Sequence, residues 1–232
     1  TRWVTSGGLP MIVLCPASTA EAYELTYRAF NLAERYRTPV FLLSNKEVSL
    51  TRECVDLDRI ELPALESRKR PPAGKPYQPH GFDRPEEVPP LSNFGDEHVT
   101  RYTTSSHDKN GMLASDPTVL QEMIDHFVAK IETAVDDIAF YTFNEEDGAD
   151  ILVVSYGITS RAAAVAVRQA RARGRHVSHL ILRPLFPVPE NVIRNAARGI
   201  SRVVVPEMNM GQYRFEIGRW VANDEAVIGV NR

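Results

Sequence analysis

The sequence predicts an α/β protein built from two units, each with a parallel β-sheet whose strands alternate with helices along the chain. Three observations predict this class. Apolar runs of strand length recur near both ends of the chain, amphipathic stretches of helix length separate them, and a proline-rich region divides the two groups. Two strands separated by a helix pair in parallel, because the crossover needs the length of chain that a helix supplies.

The first unit opens with a strand–helix–strand pattern. The apolar run MIVLC at 11–15 predicts a buried strand, and VFLLS at 40–44 predicts a second one. Either Ser18 or Thr19 is placed to cap the helix between them. Pro39 ends that helix, because the residue before a proline disfavours helical backbone.

A proline-rich, charged connection follows over 61–100. Eight of the sixteen prolines lie in it, and such a composition does not form regular strands or helices. The segment is either a disordered linker or an extended connection that packs against the rest of the protein. The aromatic residues Tyr77, Phe82 and Phe94 favour packing.

A polar loop and a long helix make up 101–148. Asp116 caps the helix, Pro117 occupies its first position, and apolar residues keep the 3.6-residue period to about 139. The acidic, glycine-containing stretch EEDGAD at 145–150 marks a predicted domain boundary.

The last part of the chain, 149–232, alternates strands and helices regularly. The predicted strands are ILVVSYG (151–157), VSHLILR (177–183), RVVVP (202–206) and AVIGV (226–230), and the predicted helices span 159–174, 189–198 and 211–221. Thr159 or Ser160 is the expected cap of the first of these helices. Four strands alternating with three helices predict an open parallel sheet with both faces covered. This fold hosts many functions and identifies none of them.

Composition argues against several classes of function. The net charge of −3 gives no support for binding to nucleic acid or to an anionic membrane, and no apolar run reaches the roughly 18 residues that a membrane span needs. Two cysteines, Cys15 and Cys54, are too few for a four-thiolate cluster or a zinc site, and indicate free thiols in a reducing cytoplasm. The glycine-rich dinucleotide loop, the GxxxxGK[ST] phosphate loop and the GxSxG elbow are absent, which disfavours a free-standing dehydrogenase or nucleotide hydrolase.

Polar residues in the loop at 101–113 form one candidate site. Thr103, Ser106, His107 and Asp108 lie close together in the chain, in the segment RYTTSSHDKNGML. Side chains of these types either organise a binding site or close a turn, and the pattern alone leaves both interpretations open.

A second candidate site follows the buried strand at 202–206. Glu207, Asn209 and Gln212 lie at its carboxyl end, which is the edge of an open α/β sheet where ligands and contacts gather. The alternative is an ordinary strand-to-helix turn, in which Asn209 and Gly211 supply the backbone freedom and the helix cap.

Six stretches of the sequence carry a family resemblance. They are ILVVSYGITSRAAAVAV (151–167), LRPLFPVPENVI (182–193), VVVPEMNMGQ (203–212), WVTSGGLPMIVLCPAS (3–18), AFNLAERYRTPVFLLSNKEV (29–48) and TTSSHDKNGML (103–113). Together they resemble the C-terminal part of the alpha subunit of 2-oxoacid:ferredoxin oxidoreductases, and the 2-oxoglutarate branch most closely. The run PEMNMGQ with the valines before it is the most specific piece.

This resemblance implies an enzyme that oxidatively decarboxylates a 2-oxoacid with thiamine diphosphate and Mg, transfers the acyl group to coenzyme A and reduces ferredoxin through an iron–sulfur cluster. It implies that 1–60 is the second half of a thiamine pyrimidine-binding-type domain whose first half lies upstream. It also implies that 149–232 resembles the C-terminal domain of transketolases, which mainly builds subunit contacts. The segments 101–113 and 203–220 are then expected near an interface.

The sequence departs from the family pattern in ways that limit what this chain is expected to do. The family's YPITP and GPSTG stretches are absent and are expected upstream of Thr1, and the GDG motif that binds the metal and diphosphate is absent too. The family places that motif, with the cluster cysteines, on the beta subunit or elsewhere in the complex. Thiamine diphosphate is then expected to be held mainly by the beta subunit and by residues upstream of Thr1, and gamma- or delta-type subunits or domains are further expected partners. We therefore carry over no catalytic residue, and we expect a cytoplasmic assembly that includes homo-oligomerisation.

Two alternatives stay open at this point. A pyruvate or branched-chain 2-oxoacid oxidoreductase subunit is an alternative within the same class of enzyme. A non-catalytic α/β binding or scaffold subunit with the same architecture is an alternative from a different class.

Overall fold

A computed structural model of the chain describes residues 6–231. Its strands are Ile12–Leu14 (β1), Val40–Leu42 (β2), Tyr141–Asn144 (β3), Ile151–Tyr156 (β4), Val177–Leu182 (β5), Pro184–Phe186 (β6), Arg202–Glu207 (β7) and Val227–Asn231 (β8). Its helices are Thr19–Tyr36 (α1), Lys46–Leu50 (α2), Pro117–Glu132 (α3), Val135–Ile138 (α4), Thr159–Ala172 (α5), Glu190–Ala196 (α6) and Gln212–Gly218 (α7). None of these helices is long and apolar enough to cross a membrane. The predicted α/β class is confirmed.

The chain divides into two compact units that do not follow a single cut in the sequence. The first contains the described residues up to Met11 together with Tyr27–Val40 and Pro63–Ala134. The second contains Ile12–Thr26, Phe41–Leu62 and residues 135–231.

The main sheet of the second unit has five strands in the order β3-β5-β4-β7-β8. β4 pairs in parallel with β5 and β7, β8 pairs in parallel with β7, and β3 pairs antiparallel with β5. The four predicted strands are confirmed as a parallel sheet. β3 was not predicted, because its four residues, YTFN, are too few to show a period and take their strand pairing from β5.

The core of this sheet is apolar and shielded from solvent. Its buried side chains come from strands and helices alike and include Leu152, Val154, Leu180, Leu182, Val203, Val205, Ile193 and Ile217. Burial of one such side chain contributes about 1.5–3 kcal/mol relative to exposure, so this cluster is a principal source of the unit's stability.

A smaller sheet has three strands in the order β2-β1-β6. β1 and β6 pair antiparallel, and the Cys15 N–H donates to the Arg183 carbonyl at 2.7 Å just past their ends. β6 was not predicted because it begins at Pro184, and proline occurs in strands mainly at edges or first positions, where its missing N–H does no harm.

The structure confirms two of the predicted helix caps and contradicts a third. Ser18 caps α1 by accepting from the Glu21 N–H at 3.2 Å. Asp116 caps α3 by accepting from the N–H groups of Thr118 and Val119. Both predicted caps are confirmed. The cap predicted for α5 was wrong. Thr159 instead donates to the Tyr156 carbonyl at 2.6 Å, and no side chain caps this helix.

The hydroxyl of Ser160 is used in a buried polar network instead of a cap. Ser155 Oγ donates to Ser160 Oγ at 3.1 Å and lies 2.7 Å from Nε2 of His179, all inside the second unit. Burial lowers the pKa of His179 to about 4, so its imidazole is neutral. Ser155 and His179 are 0% and 2% exposed, which excludes contact with a substrate and makes the network structural.

Side chains of the first unit hold the proline-rich segment in place. Asn31 is buried; its Nδ2 donates to the Ala64 carbonyl at 2.7 Å and its Oδ1 accepts from the Glu66 N–H at 3.0 Å. Arg68 donates to both carboxylate oxygens of Glu34 at 2.7 and 2.8 Å. The segment is therefore a packed connection without regular structure of its own.

The predicted packing of its aromatic residues is confirmed for two of three. The Tyr77 hydroxyl donates to the Pro90 carbonyl at 3.2 Å, and Phe82 stacks on the ring of His126 with 4.2 Å between centroids. Phe94 is 96% exposed, so the expectation that it packs was wrong.

Gly157 lies against two side chains of the second unit and has no room for a side chain of its own. Its φ is +55°, and a Cβ placed there would lie 2.5 Å from Oδ1 of Asn45 and 2.9 Å from Sγ of Cys15. The same Asn45 oxygen accepts the N–H of Ile158 at 3.0 Å. A side chain at 157 would therefore displace an amide that is already hydrogen-bonded.

Gly157→Ala should lower the free energy of unfolding by about 3 kcal/mol or more, because left-handed strain and a steric clash add together. Gly174→Ala is the matched control: its φ is +76°, but nothing lies within 4 Å of the added Cβ, so strain alone should cost about 1–2 kcal/mol. Urea denaturation of the two variants measures the difference. Equal losses would contradict the steric argument.

Candidate functional site

The carboxyl end of β7 carries a buried carboxylate with three hydrogen-bond donors. Glu207 is 4% exposed and accepts from the Tyr156 hydroxyl at 2.7 Å, from the Tyr213 N–H at 2.8 Å and from the Arg214 N–H at 3.0 Å. The two N–H groups belong to the first turn of α7, where backbone donors lack partners within the helix. Glu207 thus joins β4, β7 and α7.

Asn209 completes the turn between β7 and α7. Its Oδ1 accepts from the N–H groups of Gly211 and Gln212 at 2.8 and 3.0 Å, and Gly211 has a φ of +80°. The predicted local roles of Asn209 and Gly211 are confirmed. Gln212 contributes its N–H to this turn, while its side chain is exposed.

Tyr156, which the sequence analysis did not single out, is the centre of this group. Its hydroxyl donates to Glu207 and accepts from Nδ2 of Asn209 at 2.9 Å. Burial, followed by the hydrogen bond to Glu207, raises the pKa of Tyr156 well above its usual value. The phenol therefore keeps its proton at neutral pH. Tyr156 is the last residue of β4, which lies next to β7 in the sheet, and this position is the feature from which its role could have been predicted.

A buried thiol lies in the same unit, beyond the end of β1. Burial, with a smaller effect from the charge of Glu21, raises the pKa of Cys15 to about 12. The Glu21 carboxylate pairs with Arg183 at 2.8 Å. Both cysteines are free, as predicted, and Cys15 stays protonated, so it is not an activated nucleophile.

Hydrogen bonds between residues of the 101–113 loop hold it in a turn. Oδ1 of Asp108 accepts from the N–H groups of Asn110 and Met112 at 2.8 and 2.9 Å, and these bonds, that of Met112 foremost, lower the pKa of Asp108. Oγ1 of Thr103 accepts from the Ser105 N–H at 3.2 Å. The turn interpretation accounts for both side chains.

His107 borders a small cavity of the first unit, whereas Ser106 does not line it and takes part in the loop's own hydrogen bonding. The carbonyl of Ser106 accepts from the Ala114 N–H at 3.1 Å, and the His107 ring lies 4.1 Å from the ring of His80. The cavity that His80 and His107 line has a volume of about 30 Å³, room for about one water molecule. Burial, then the neighbouring His107, lowers the pKa of His80 to about 4, so this imidazole is neutral.

The predicted site residues thus fall into two groups. Glu207, Asn209 and Gln212 meet in the second unit, whereas the residues from 103 to 108 lie in the first. Among the residues that the structure describes, no group of three or more histidine, cysteine, aspartate or glutamate side chains is arranged to hold a metal ion.

Comparison with known families accounts for most of the chain. Residues 4–126 match the family described as pyruvate flavodoxin/ferredoxin oxidoreductase, thiamine diphosphate-binding, which is more than half of the chain. Residues 149–232 match pyruvate:ferredoxin oxidoreductase core domain II. The chain belongs to the pyruvate flavodoxin/ferredoxin oxidoreductase family.

A curated relative of this oxidoreductase family aligns with the whole chain. The chain is 34% identical over 232 residues to the 2-oxoglutarate synthase subunit KorA of Methanocaldococcus jannaschii, and the alignment covers 100% of this chain and 61% of that subunit. The chain therefore spans about six tenths of the length of this relative.

Two solved structures share the fold. A 2-oxoglutarate:ferredoxin oxidoreductase from Magnetococcus marinus, with 2-oxoglutarate, coenzyme A and succinyl-CoA bound, superposes with a TM-score of 0.83 at 21% identity, over 96% of this chain and 39% of that one. A split-gene transketolase, an inactive beta4 tetramer, gives a TM-score of 0.50 at 16% identity, over 99% and 50% of the chains. At these identities the likeness shows the fold alone.

The described residues do not by themselves fit thiamine diphosphate, the cofactor that this oxidoreductase family implies. A diphosphate is held through a metal ion, and these residues offer no cluster of three ligands for one. The buried carboxylate of Glu207 is already occupied by three donors. No reaction step is therefore assigned to the side chains of this chain.

Glu207→Gln should lower the free energy of unfolding by about 2 kcal/mol, because an amide cannot accept from all three donors and leaves buried groups unpaired. Glu225→Gln, which changes an exposed glutamate of the same unit, should change it by less than about 0.5 kcal/mol. Urea denaturation compares the two. A loss for Glu207→Gln no larger than for the control would contradict the structural role.

Proposed function

We propose that this chain is part of the alpha subunit of a coenzyme A-dependent 2-oxoacid:ferredoxin oxidoreductase, with 2-oxoglutarate as its substrate. The observation that carries the proposal is the 34% identity to a 2-oxoglutarate synthase subunit over all 232 residues. The family matches over 4–126 and 149–232 support the class of enzyme independently of the substrate.

In the proposed reaction the 2-oxoacid loses carbon dioxide, its acyl group forms a thioester with coenzyme A, and two electrons reduce two ferredoxins. Thiamine diphosphate supplies the carbanion chemistry when it is bound, and the protein orients it. Electron transfer needs iron–sulfur clusters, and two cysteines, one of them a buried thiol, are too few to hold one.

We therefore assign the metal, the diphosphate and the cluster to a beta subunit or to further gamma- or delta-type parts of a cytoplasmic complex. The chain's own contribution is one side of a shared site and a surface for assembly, including contact with a second copy of itself.

The proposed domain organisation divides the chain into four consecutive segments. Residues 1–60 form the second half of a thiamine pyrimidine-binding-type domain and 61–100 a connection, while 101–148 carry a polar loop and linking helix. Residues 149–232 form a domain like the C-terminal domain of transketolases. Its match to core domain II over the same residues supports this last assignment.

The complete alpha subunit, coexpressed with its beta partner, should reduce a viologen dye only when coenzyme A and a 2-oxoacid are both present. We expect kcat/KM for 2-oxoglutarate to exceed that for pyruvate and 2-oxoisovalerate by at least about 10-fold, because the site must pair the second carboxylate. Omitting coenzyme A is the control.

The outcomes separate the three candidate functions. Preference for pyruvate or 2-oxoisovalerate would keep the enzyme class and overturn the substrate. Absence of dye reduction with every 2-oxoacid, in a complex that contains thiamine diphosphate and intact, oxidised iron–sulfur clusters, would favour the non-catalytic scaffold.

Hydrogen exchange should locate the proposed assembly surface. We expect amides in 101–113 and 203–220 to exchange at least about 10-fold more slowly in the complex with the beta partner than in the chain without it. The exposed residues Leu113, Met208, Met210 and Phe215 in these segments favour burial by a partner. The segment 168–176, on an exposed helix end, serves as an internal reference, and equal exchange of all three segments in both samples would reject the interface.

A further inference from the structure

The first unit contains a pocket of about 250 Å³ whose charged lining is mainly cationic. Arg37, Arg68 and Lys69 contribute to its wall, and Glu34 is its acidic side chain. It is separate from the small cavity beside His107 and from the cluster around Glu207, and no function assigned above uses it.

The acid in this pocket is already neutralised. Arg68 donates to both oxygens of Glu34 at 2.7 and 2.8 Å, and this hydrogen bonding is the main cause that lowers the pKa of the Glu34 carboxyl. The third donor of Arg68 binds Oδ1 of Asn93 at 3.0 Å. The pair therefore forms a neutral wall and leaves Glu34 no charge for another cation.

Arg37 has no such partner among the described residues. Its guanidinium is half-buried, and within this part of the chain it donates to the backbone carbonyls of Pro79 and Pro90, the latter at 3.4 Å. Within the described part of the chain no carboxylate forms an ion pair with it, and burial lowers its pKa. A half-buried guanidinium without a counter-ion is costly, which makes it a natural ligand for an anion.

Lys130 adds a second unbalanced charge next to the first. It is 4% exposed, and its Nζ donates to the carbonyl of Arg37 at 3.2 Å. Burial, followed by the charge of Arg37, lowers the pKa of Lys130 to about 8, so most of it is protonated at neutral pH. No described carboxylate pairs with this ammonium either.

The backbone at Arg37 is also unusual. Its φ of +46° is the one positive value at a non-glycine position among residues 6–231. Glycine normally occupies this left-handed position after a helix, since any side chain is strained there. An arginine at the end of α1 is explained if its side chain is needed in the pocket.

We propose that this pocket binds a small oxyanion of the phosphate class, with Arg37 and the exposed Lys69 as its ligands. A phosphate dianion would balance the charges of Arg37 and Lys130, with which no carboxylate of residues 6–231 forms an ion pair. A volume of about 250 Å³ exceeds what one phosphate fills, so the anion is either free phosphate with its water or the phosphoryl end of a larger molecule.

Isothermal titration calorimetry on the purified complex that contains this chain, in chloride buffer, tests the proposal with inorganic phosphate as the probe. Arg37→Gln should raise Kd at least about 10-fold, and Lys69→Gln about 3-fold because that residue is exposed. Arg70→Gln is the matched control: Arg70 is exposed, is next in sequence and does not line the pocket, so Kd should change less than about 2-fold.

Arg37 also supports the carbonyls of the proline-rich segment, so two further variants protect the test against misfolding. Arg37→Lys keeps the charge and should retain most of the affinity. Lys69→Gln leaves the contacts of Arg37 in place and removes one exposed bond, from Nζ of Lys69 to the Val88 carbonyl at 3.0 Å. Melting curves of all variants show whether each one folds.

Two further ligands define the class and the source of the anion. Adenosine monophosphate binding with the same Arg37 dependence but lower Kd would support the phosphoryl end of a larger molecule, and equal Kd values would support free phosphate.

The proposal is overturned if phosphate does not bind up to about 10 mM, if Arg37→Gln and Lys69→Gln bind it as the unsubstituted protein does, or if malonate shows the same Arg37-dependent affinity. These contacts lie within the first unit alone, so the result does not depend on the enzymatic activity.

Discussion

The buried carboxylate of Glu207 is the constraint on which the second unit depends. A charge at 4% exposure is tolerated only when hydrogen bonds replace its water, and here the Tyr156 hydroxyl and two N–H groups of α7 do so. The same three bonds hold the central strand β4, its neighbour β7 and the next helix together. The phenol of Tyr156 must stay protonated to donate, which is the direction in which its surroundings move its pKa.

This arrangement explains why the carboxyl end of β7 has polar residues but no reactive group. Glu207 and Asn209 have their acceptor oxygens occupied by donors, and the thiol of Cys15 is held protonated by burial. The edge is built to fix a turn and to present the exposed side chains of Met208 and Met210 beyond it. Such an edge suits contact with another subunit better than chemistry, in agreement with the role proposed for this chain.

The first unit contains the long proline-rich connection, which forms no strand or helix. Its backbone N–H and C=O groups therefore lack the hydrogen bonds that regular structure would supply. Side chains supply these hydrogen bonds instead. Asn31 bonds to the Ala64 carbonyl and the Glu66 N–H, and Arg37 donates to the carbonyls of Pro79 and Pro90. Using Arg37 for this purpose places a positive charge at a partly buried position where no described carboxylate forms an ion pair with it. The oxyanion pocket proposed above follows from that arrangement.

Local sequence patterns are enough to predict the α/β class, the four parallel strands of the main sheet, the caps at Ser18 and Asp116, and the turn at Asn209 and Gly211, because each depends on periodicity or on one residue's backbone preference. Long-range packing sets the edge strands β3 and β6, the use of Ser160 in a buried network, the exposure of Phe94 and the hydrogen bonds of Tyr156. These features depend on neighbours distant in the chain, as Tyr156 and Glu207 are, and no local pattern records which distant residues will meet. The candidate residues of the loop at 103–108 were found from composition, but that they close a turn was visible only from their bonds to Asn110 and Met112.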